Sequence, residues 1–477
     1  MTKKNYISAA ACLVVAIAIM ISTSINFLAA REVPLPMEGP TKPEIHMLSE
    51  WNPNLKDTNG DTPVYVLNGK EAGGSALILG GTHPNEPSGY MGAITFIETA
   101  VIEKGTVYVI PYTNHSAATH NDPGEGNIQY FTIPTKSGDR TFRFGSRATN
   151  PIDQWPDPDV YVHNPSGQQM SGSETRNINR AYPGVADGNL TERMAYGVAE
   201  LIRDKDIDIT FDLHEASPEY PVINATVAHQ RAMTLASEGC INLLLGGIEM
   251  SLEQSPTNMH GLTHRELGDY TDTLAILMET ANASQGRLRG ASGESQAIGG
   301  LDKFYVIEEK LDMLAVPFDE TGHPIEERVG RHLQGVYDYV DAFNTEYSRD
   351  IEPTKGALKD HYYYQLVNFV RQYKGANPIP TPGDKVTIDI TAGQEQWKAV
   401  EPYFGAYIGN TEHRDAAGYG TLQYTETSGR NDIIGAQIAR DDEFVYFNVE
   451  CAADITPYTD KLWMTLYLDT DQGNQGW

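Results

Sequence analysis

The sequence predicts an α/β protein followed by a separate all-β module. Three observations carry this. From about residue 61, short apolar runs alternate with segments of helical periodicity. From Val386 onward, VTIDIT, EFVYFNVE and LWMTLYLD alternate with period two. Between the two regions, NPIPTPGDK interrupts any regular element. A chain of 477 residues is also too long for one compact core, so two or three units are expected.

The elements follow in order. Lys3 and Lys4 precede an apolar stretch that runs to Ala30 and is closed by Arg31. A positive start and an apolar run make an export signal, with Leu28-Ala29-Ala30 as a cleavage end. The run is also as long as a membrane span needs to be. Residues 1–30 are expected to be a signal peptide or a membrane anchor. The rest of the protein is then secreted, or held on the outer side of the cytoplasmic membrane. Residues 31–60, rich in Pro, Glu and Asn, are expected to be a linker.

Residues 61–345 are expected to form the α/β domain. Residues 75–79 (SALIL) read as a buried strand, 90–103 as a helix, and 106–110 as a second strand. A helix over 190–203 leads to a strand over 207–213. A helical stretch at 230–250 precedes a strand over 273–278, and a helix over 324–345 closes the domain. The segment 115–176 is different. It is long, rich in Gly, Pro, Asn and Asp, and is expected to wall or cover a cleft. Its Arg140, Arg143 and Arg147 are candidates to face a substrate. Residues 346–382 read as a Tyr-rich helical segment and a linker, and 383–477 as a β-sandwich module that stops early.

Composition narrows the partners. Hydrophobic content of 40% and charged content of 21% exclude a disordered chain. A formal net charge of −29 without a basic patch argues against nucleic acid. Cys12, Cys240 and Cys451 form neither a disulfide framework nor a thiolate metal site.

Four short stretches carry chemistry. They are GGTHPNEPSG with His83 and Glu86, RNINRAYPG with Asn179 and Arg180, FDLHEA with His214, and ILMETA with Glu279. Two imidazoles and a carboxylate suit one zinc ion per chain and leave a fourth position for the water a hydrolase activates. Glu279 follows an apolar run, where a carboxylate without a function is uncommon, and can serve as general base. An arginine beside an amide can hold a substrate carboxylate. His83, His214 and Glu279 are each expected just past the end of a strand, where sites form in open α/β sheets. Each residue also has a plainer reading. His214 can be a buried histidine satisfied by the sheet, Arg180 an internal ion pair, and Glu279 a strand-end glutamate in solvent. Asp212 or a backbone carbonyl can orient His214, and Glu215 reads as structural or substrate-side.

Together these motifs resemble the zinc carboxypeptidase superfamily across residues 61–345. The first motif is most like the succinylglutamate desuccinylase/aspartoacylase branch, although Pro84 stands where that branch usually has glycine. The resemblance implies a mixed, mostly parallel eight-stranded sheet with helices on both faces. It implies zinc on His83, Glu86 and His214, with Glu279 as base and Asn179 and Arg180 as carboxylate ligands. It also implies an oxyanion arginine, which the sequence leaves open among Arg143, Arg147 and Arg176.

The expected activity is deacylation of N-acyl amino acids or related carboxylate-bearing substrates. An extracellular carboxypeptidase acting on peptides is the alternative. A third reading is a surface glycan-binding protein, in which the C-terminal module, similar to sugar-binding sandwiches, does the work.

Overall fold

The computed structural model describes residues 3–29, 31–121, 127–133, 139–347, 349–355, 385–400, 403–405, 414–417, 423–426, 430–457 and 459. The chain divides into two compact units, Met1–Thr132 with Thr141–Lys359, and Ile133–Arg140 with Asp360–Trp477.

The strands up to residue 355 are β1 (Glu44–Met47), β2 (Pro63–Asn68), β3 (Glu71–Leu79), β4 (Ala100–Ile110), β5 (Tyr130–Ile133), β6 (Arg140–Arg143), β7 (Val160–Val162), β8 (Gln169–Ser171), β9 (Ile209–Ala216), β10 (Ala225–Ala228), β11 (Ser251–Gln254), β12 (Leu274–Ala281) and β13 (Glu352–Lys355). Helices are α1 (Lys3–Ala29), α2 (Pro87–Thr99), α3 (His115–Ala118), α4 (Leu190–Lys205), α5 (Met233–Leu245), α6 (Gly268–Tyr270), α7 (Glu294–Ala297), α8 (Lys303–Glu309) and α9 (Ile325–Glu346).

Eight strands form one mixed sheet in the order β1-β2-β4-β3-β9-β12-β10-β11, and β13 joins as a ninth against the first half of β4. Along the eight, β4/β3, β3/β9, β9/β12 and β10/β11 are parallel. The remaining three pairs are antiparallel. Helix α4 covers one face. Its Met194, Val198, Leu201 and Ile202 pack with Val64, Val66, Leu77, Leu79 and Ile110. An Asn189–Glu192 capping box starts this helix, and Asp206 in the left-handed region ends it. Helices α2, α5 and α9 cover the other face. There Gly89 lets α2 approach the Leu213 carbonyl of β9, and Phe211 meets Tyr339 with ring centroids 6.1 Å apart.

Two expectations are corrected. The helix expected over 90–103 stops at Thr99, and residues 100–103 open β4. Ala100 and Val101 fit either period; pairing with β13, distant in sequence, decides for the strand. His214 and Glu279 do not follow strand ends. Each lies inside its strand, because β9 and β12 stay paired as far as Ala216 and Ala281. Only His83 stands beyond a strand.

Residues 44–55, within the expected linker, carry β1 on β2 and bury Leu48 and Leu55 in the core. Helix α1 is fully exposed, and its Asn5–Ala29 stretch has the length and apolarity of a membrane span.

In the second unit, β14 (Tyr403–Gly405), β17 (Ile433–Arg440) and β18 (Val445–Cys451) form an antiparallel sheet, and β15 (Arg414–Ala417) pairs with β16 (Gln423–Glu426). Ile388, Trp397, Val400 and Ala439 form its small core. Residues 386–391, expected as a strand, are irregular. The expected helical segment at 361–373 and the strand at 462–469 lie outside the described residues.

Candidate metal centre

His83 stands in the turn after β3. Gly81 makes that turn with φ +55°, and a Cβ there would lie 2.9 Å from the Pro111 carbonyl oxygen. The Glu86 N–H donates to the His83 carbonyl at 2.9 Å, and Pro87 then opens α2. Both side chains of the H-x-x-E pair are thereby fixed on one short bend. Pro84 has its own niche, against Gly145 in the loop opposite. His214 on β9 and Glu279 on β12 are register partners, so both face the same side of the sheet.

The three expected ligands come together. Glu86 Oε1 lies 2.9 Å from His83 Nδ1, and Glu86 Oε2 lies 2.9 Å from His214 Nδ1. One ligand atom from each of the three buried residues falls within 4.8 Å of the other two. The outer nitrogens are already held. His214 Nε2 donates to Asp212 Oδ2 at 2.8 Å, and His83 Nε2 donates to Asn177 Oδ1 at 2.9 Å. Such outer-shell acceptors aim the inner nitrogen at a cation. Asp212 is itself fixed by the Thr82 hydroxyl at 2.6 Å and the Thr263 hydroxyl at 2.5 Å. Two imidazole nitrogens and one carboxylate, with room for a fourth ligand, fit zinc.

The electrostatics point the same way. Burial pushes Glu86 upward, but His83 and His214 outweigh it and hold this carboxyl far below the ordinary range. Burial disfavours charge on His214, yet the Asp212 and Glu86 carboxylates hold its imidazolium well above the usual value. Burial, together with Arg147, lowers His83 against the pull of Glu86. The Asp212 and Glu86 carboxylates thus favour a proton on His214, whose Nδ1 a metal ion would need free. Metal uptake must release that proton, so affinity should rise with pH. Asp212→Asn is expected to weaken zinc binding by about 10–100-fold. Competition with a chelating dye measures this.

Glu279 lies on the next strand and lines the same cleft. Burial, with Glu86 adding to it against His214, pushes its carboxyl up to about 8. Its Oε2 has no hydrogen-bond partner among the described residues. A buried carboxyl with a free oxygen is suited to exchanging a proton with a small molecule. Glu215 is different. It is fully buried against Arg328 and accepts from the Ser88 amide and Asn282. That favours the structural reading.

The cleft holds about 580 Å³. Asn179 and Arg180 line it, as does Arg147. Asn179 Oδ1 accepts from the Thr263 amide at 2.9 Å, and the Arg180 guanidinium donates to the Asn179 carbonyl at 2.6 Å. Of the three oxyanion candidates, Arg143 donates to the Tyr130 hydroxyl at 2.7 Å, and Arg176 is bound by both oxygens of Asp157. Arg147 alone of the three lines the cleft. His264 also lines it, uncharged because burial drops it to about 3. Sequence reasoning missed Asn177, Thr82 and Thr263; only the position of Asn177 inside the RNINR motif was a signal.

No protein-family model matches the chain, and no curated protein does. Solved structures do. A succinylglutamate desuccinylase/aspartoacylase from Rhodobacter sphaeroides matches at 13% identity over 60% of this chain and 59% of its own, with a TM-score of 0.32. A metallo-carboxypeptidase from Burkholderia cenocepacia matches at 10% identity over 68% and 70%, with a TM-score of 0.38. A tripeptide-bound cell shape determinant protein, Csd4, from Helicobacter pylori matches at 16% identity over 62% and 56%, with a TM-score of 0.35. The chain therefore spans only 59% of the desuccinylase/aspartoacylase and 56% of that Csd4 chain. These are likenesses of fold.

Proposed function

We propose that this chain is a zinc-dependent hydrolase of amide bonds that removes the acyl group from N-acyl amino acids or related carboxylate-bearing substrates. The observation that carries the reading is the buried His83–Glu86–His214 cluster with Glu279, whose Oε2 has no hydrogen-bond partner among the described residues, on the adjacent strand. Zinc held by His83, Glu86 and His214 would supply a Lewis acid.

The residues of the chain do the rest. Asn179 and Arg180 hold the substrate carboxylate and set the amide carbonyl in place. Glu279 takes a proton from the attacking water and passes it to the leaving amine. The Arg147 guanidinium favours the negative charge that grows on the carbonyl oxygen.

Assays with zinc on a panel of N-acyl amino acids beside short peptides test this. Turnover of the acyl amino acids supports deacylation, and hydrolysis of peptides alone supports the carboxypeptidase reading. Turnover of neither, with zinc bound, contradicts both. Arg180→Met should raise KM steeply for substrates with a free carboxylate and change little for their amides, which steady-state kinetics will show.

We further propose that α1 targets the chain to the export route and either leaves as a signal or stays as an anchor. Lys3 and Lys4 at its start favour an N-terminus inside and catalysis outside.

A further inference from the structure

We infer that the surface around Ile152 and Trp155 rests on the bilayer that α1 enters, so the strand ends bearing the cleft are the end of the sheet nearest the membrane. This rests on the reading of α1 as a retained anchor.

The junction between helix and domain carries the argument. Arg31 still belongs to the end of α1, its amide donating to the Leu28 carbonyl at 3.1 Å. Its guanidinium reaches both oxygens of Asp153, at 2.9 and 3.0 Å. Asp153 also accepts from the Ser116 hydroxyl at 2.6 Å and from the Asn59 amide at 2.7 Å. One carboxylate therefore ties the end of the apolar helix to two parts of the folded domain.

The residues flanking Asp153 face outward. Ile152 is 62% exposed and Trp155 is 69% exposed. The backbone that presents them is pinned on both sides. Gln154 accepts from Thr191 and donates to the Thr175 carbonyl, and Asp157 holds Arg176. Folding does not explain why a pinned loop shows a tryptophan and an isoleucine to water. Beyond it, β7 buries Tyr161 but turns Val160 and Val162 outward, 49% and 51% exposed.

A tryptophan with apolar neighbours beside the end of an apolar helix suits the headgroup boundary, where an amphipathic ring is most stable. Arg31 brings no free charge to that boundary, since Asp153 neutralises it.

The same junction sets the direction of the cleft. Ser116 lies a few residues past the carboxyl end of β4, and Asn114 donates to the Gly81 carbonyl two residues before His83. The Asp153 loop thus belongs to the layer over the strand ends that carries the site. Substrates near the bilayer surface would reach it first.

The test uses the full chain in phosphatidylcholine vesicles, with and without lipid brominated high in the acyl chain. Emission of the wild type minus that of Trp155→Phe isolates Trp155. The expected result is a blue-shifted Trp155 component that brominated lipid quenches and aqueous iodide does not. A carbonate wash of the vesicles separates the two levels of the claim. If the chain washes off, α1 is no anchor and both readings fall. If it stays while Trp155 remains open to iodide and untouched by brominated lipid, the anchor stands and this inference is overturned, leaving the patch to a protein partner.

Discussion

Glu279→Gln is expected to lower kcat by about 10²–10⁴-fold while zinc content stays at one per chain. Glutamine keeps the size of the side chain and its place beside His214 on the neighbouring strand. What it loses is the ability to carry a proton between the water and the leaving amine. Pre-steady-state kinetics on the zinc-loaded variant, with metal analysis of the same sample, make the comparison.

The variant also has a pH signature in the metal-free protein. The Glu279 carboxyl sits at about 8 in the fold, against an ordinary 4.5. Between those values the native state keeps a proton that the unfolded state gives up. Stability attributable to this group therefore falls as pH rises through the window. Glu279→Gln should flatten that decline in urea titrations. A bound cation would pull the carboxyl back down and shrink the effect, so the metal-free form is the one to measure.

The second large effect is expected from His214→Ala. It removes one of three ligands and leaves the buried Glu86 and Asp212 carboxylates each without their shared partner. Zinc should no longer be retained through dialysis, and activity should fall with it. Breaking a buried charged pair on one side costs about 3–5 kcal/mol, read as a lower urea midpoint in the metal-free protein. His264→Ala is the matched control. It deletes another buried histidine of the same cleft, one that touches Ser255 rather than Glu86, and should leave zinc in place.

The parts of the site that the sequence revealed share one property: each sits beside a strong local signal. His83 and Glu86 lie between a glycine pair and a proline-started helix, and His214 and Glu279 follow apolar runs. What was hidden depended on contacts between distant segments. Arg143, Arg147 and Arg176 look alike in sequence. Tyr130 engages the first and Asp157 the last, and only the folded chain shows this. Asn177, Thr82 and Thr263 carry no pattern of their own, because their task is to hold a group that arrives from elsewhere.

The fold divides in the same way. Central strands with buried alternation on both faces were legible, whereas the short edge strands β1, β11 and β13 have too few residues for a period to show. The three-residue extensions of β9 and β12 that take in His214 and Glu279 follow from their mutual pairing, not from local propensity.

The most direct test is a crystal structure of the zinc-loaded protein with anomalous data collected at the zinc edge. One anomalous peak per chain is expected, bound by the Nδ1 atoms of His83 and His214 and by the Glu86 carboxylate, with Glu279 beside it. A peak elsewhere, or a chain that takes up no zinc at stoichiometric concentration with these three side chains intact, would contradict that expectation.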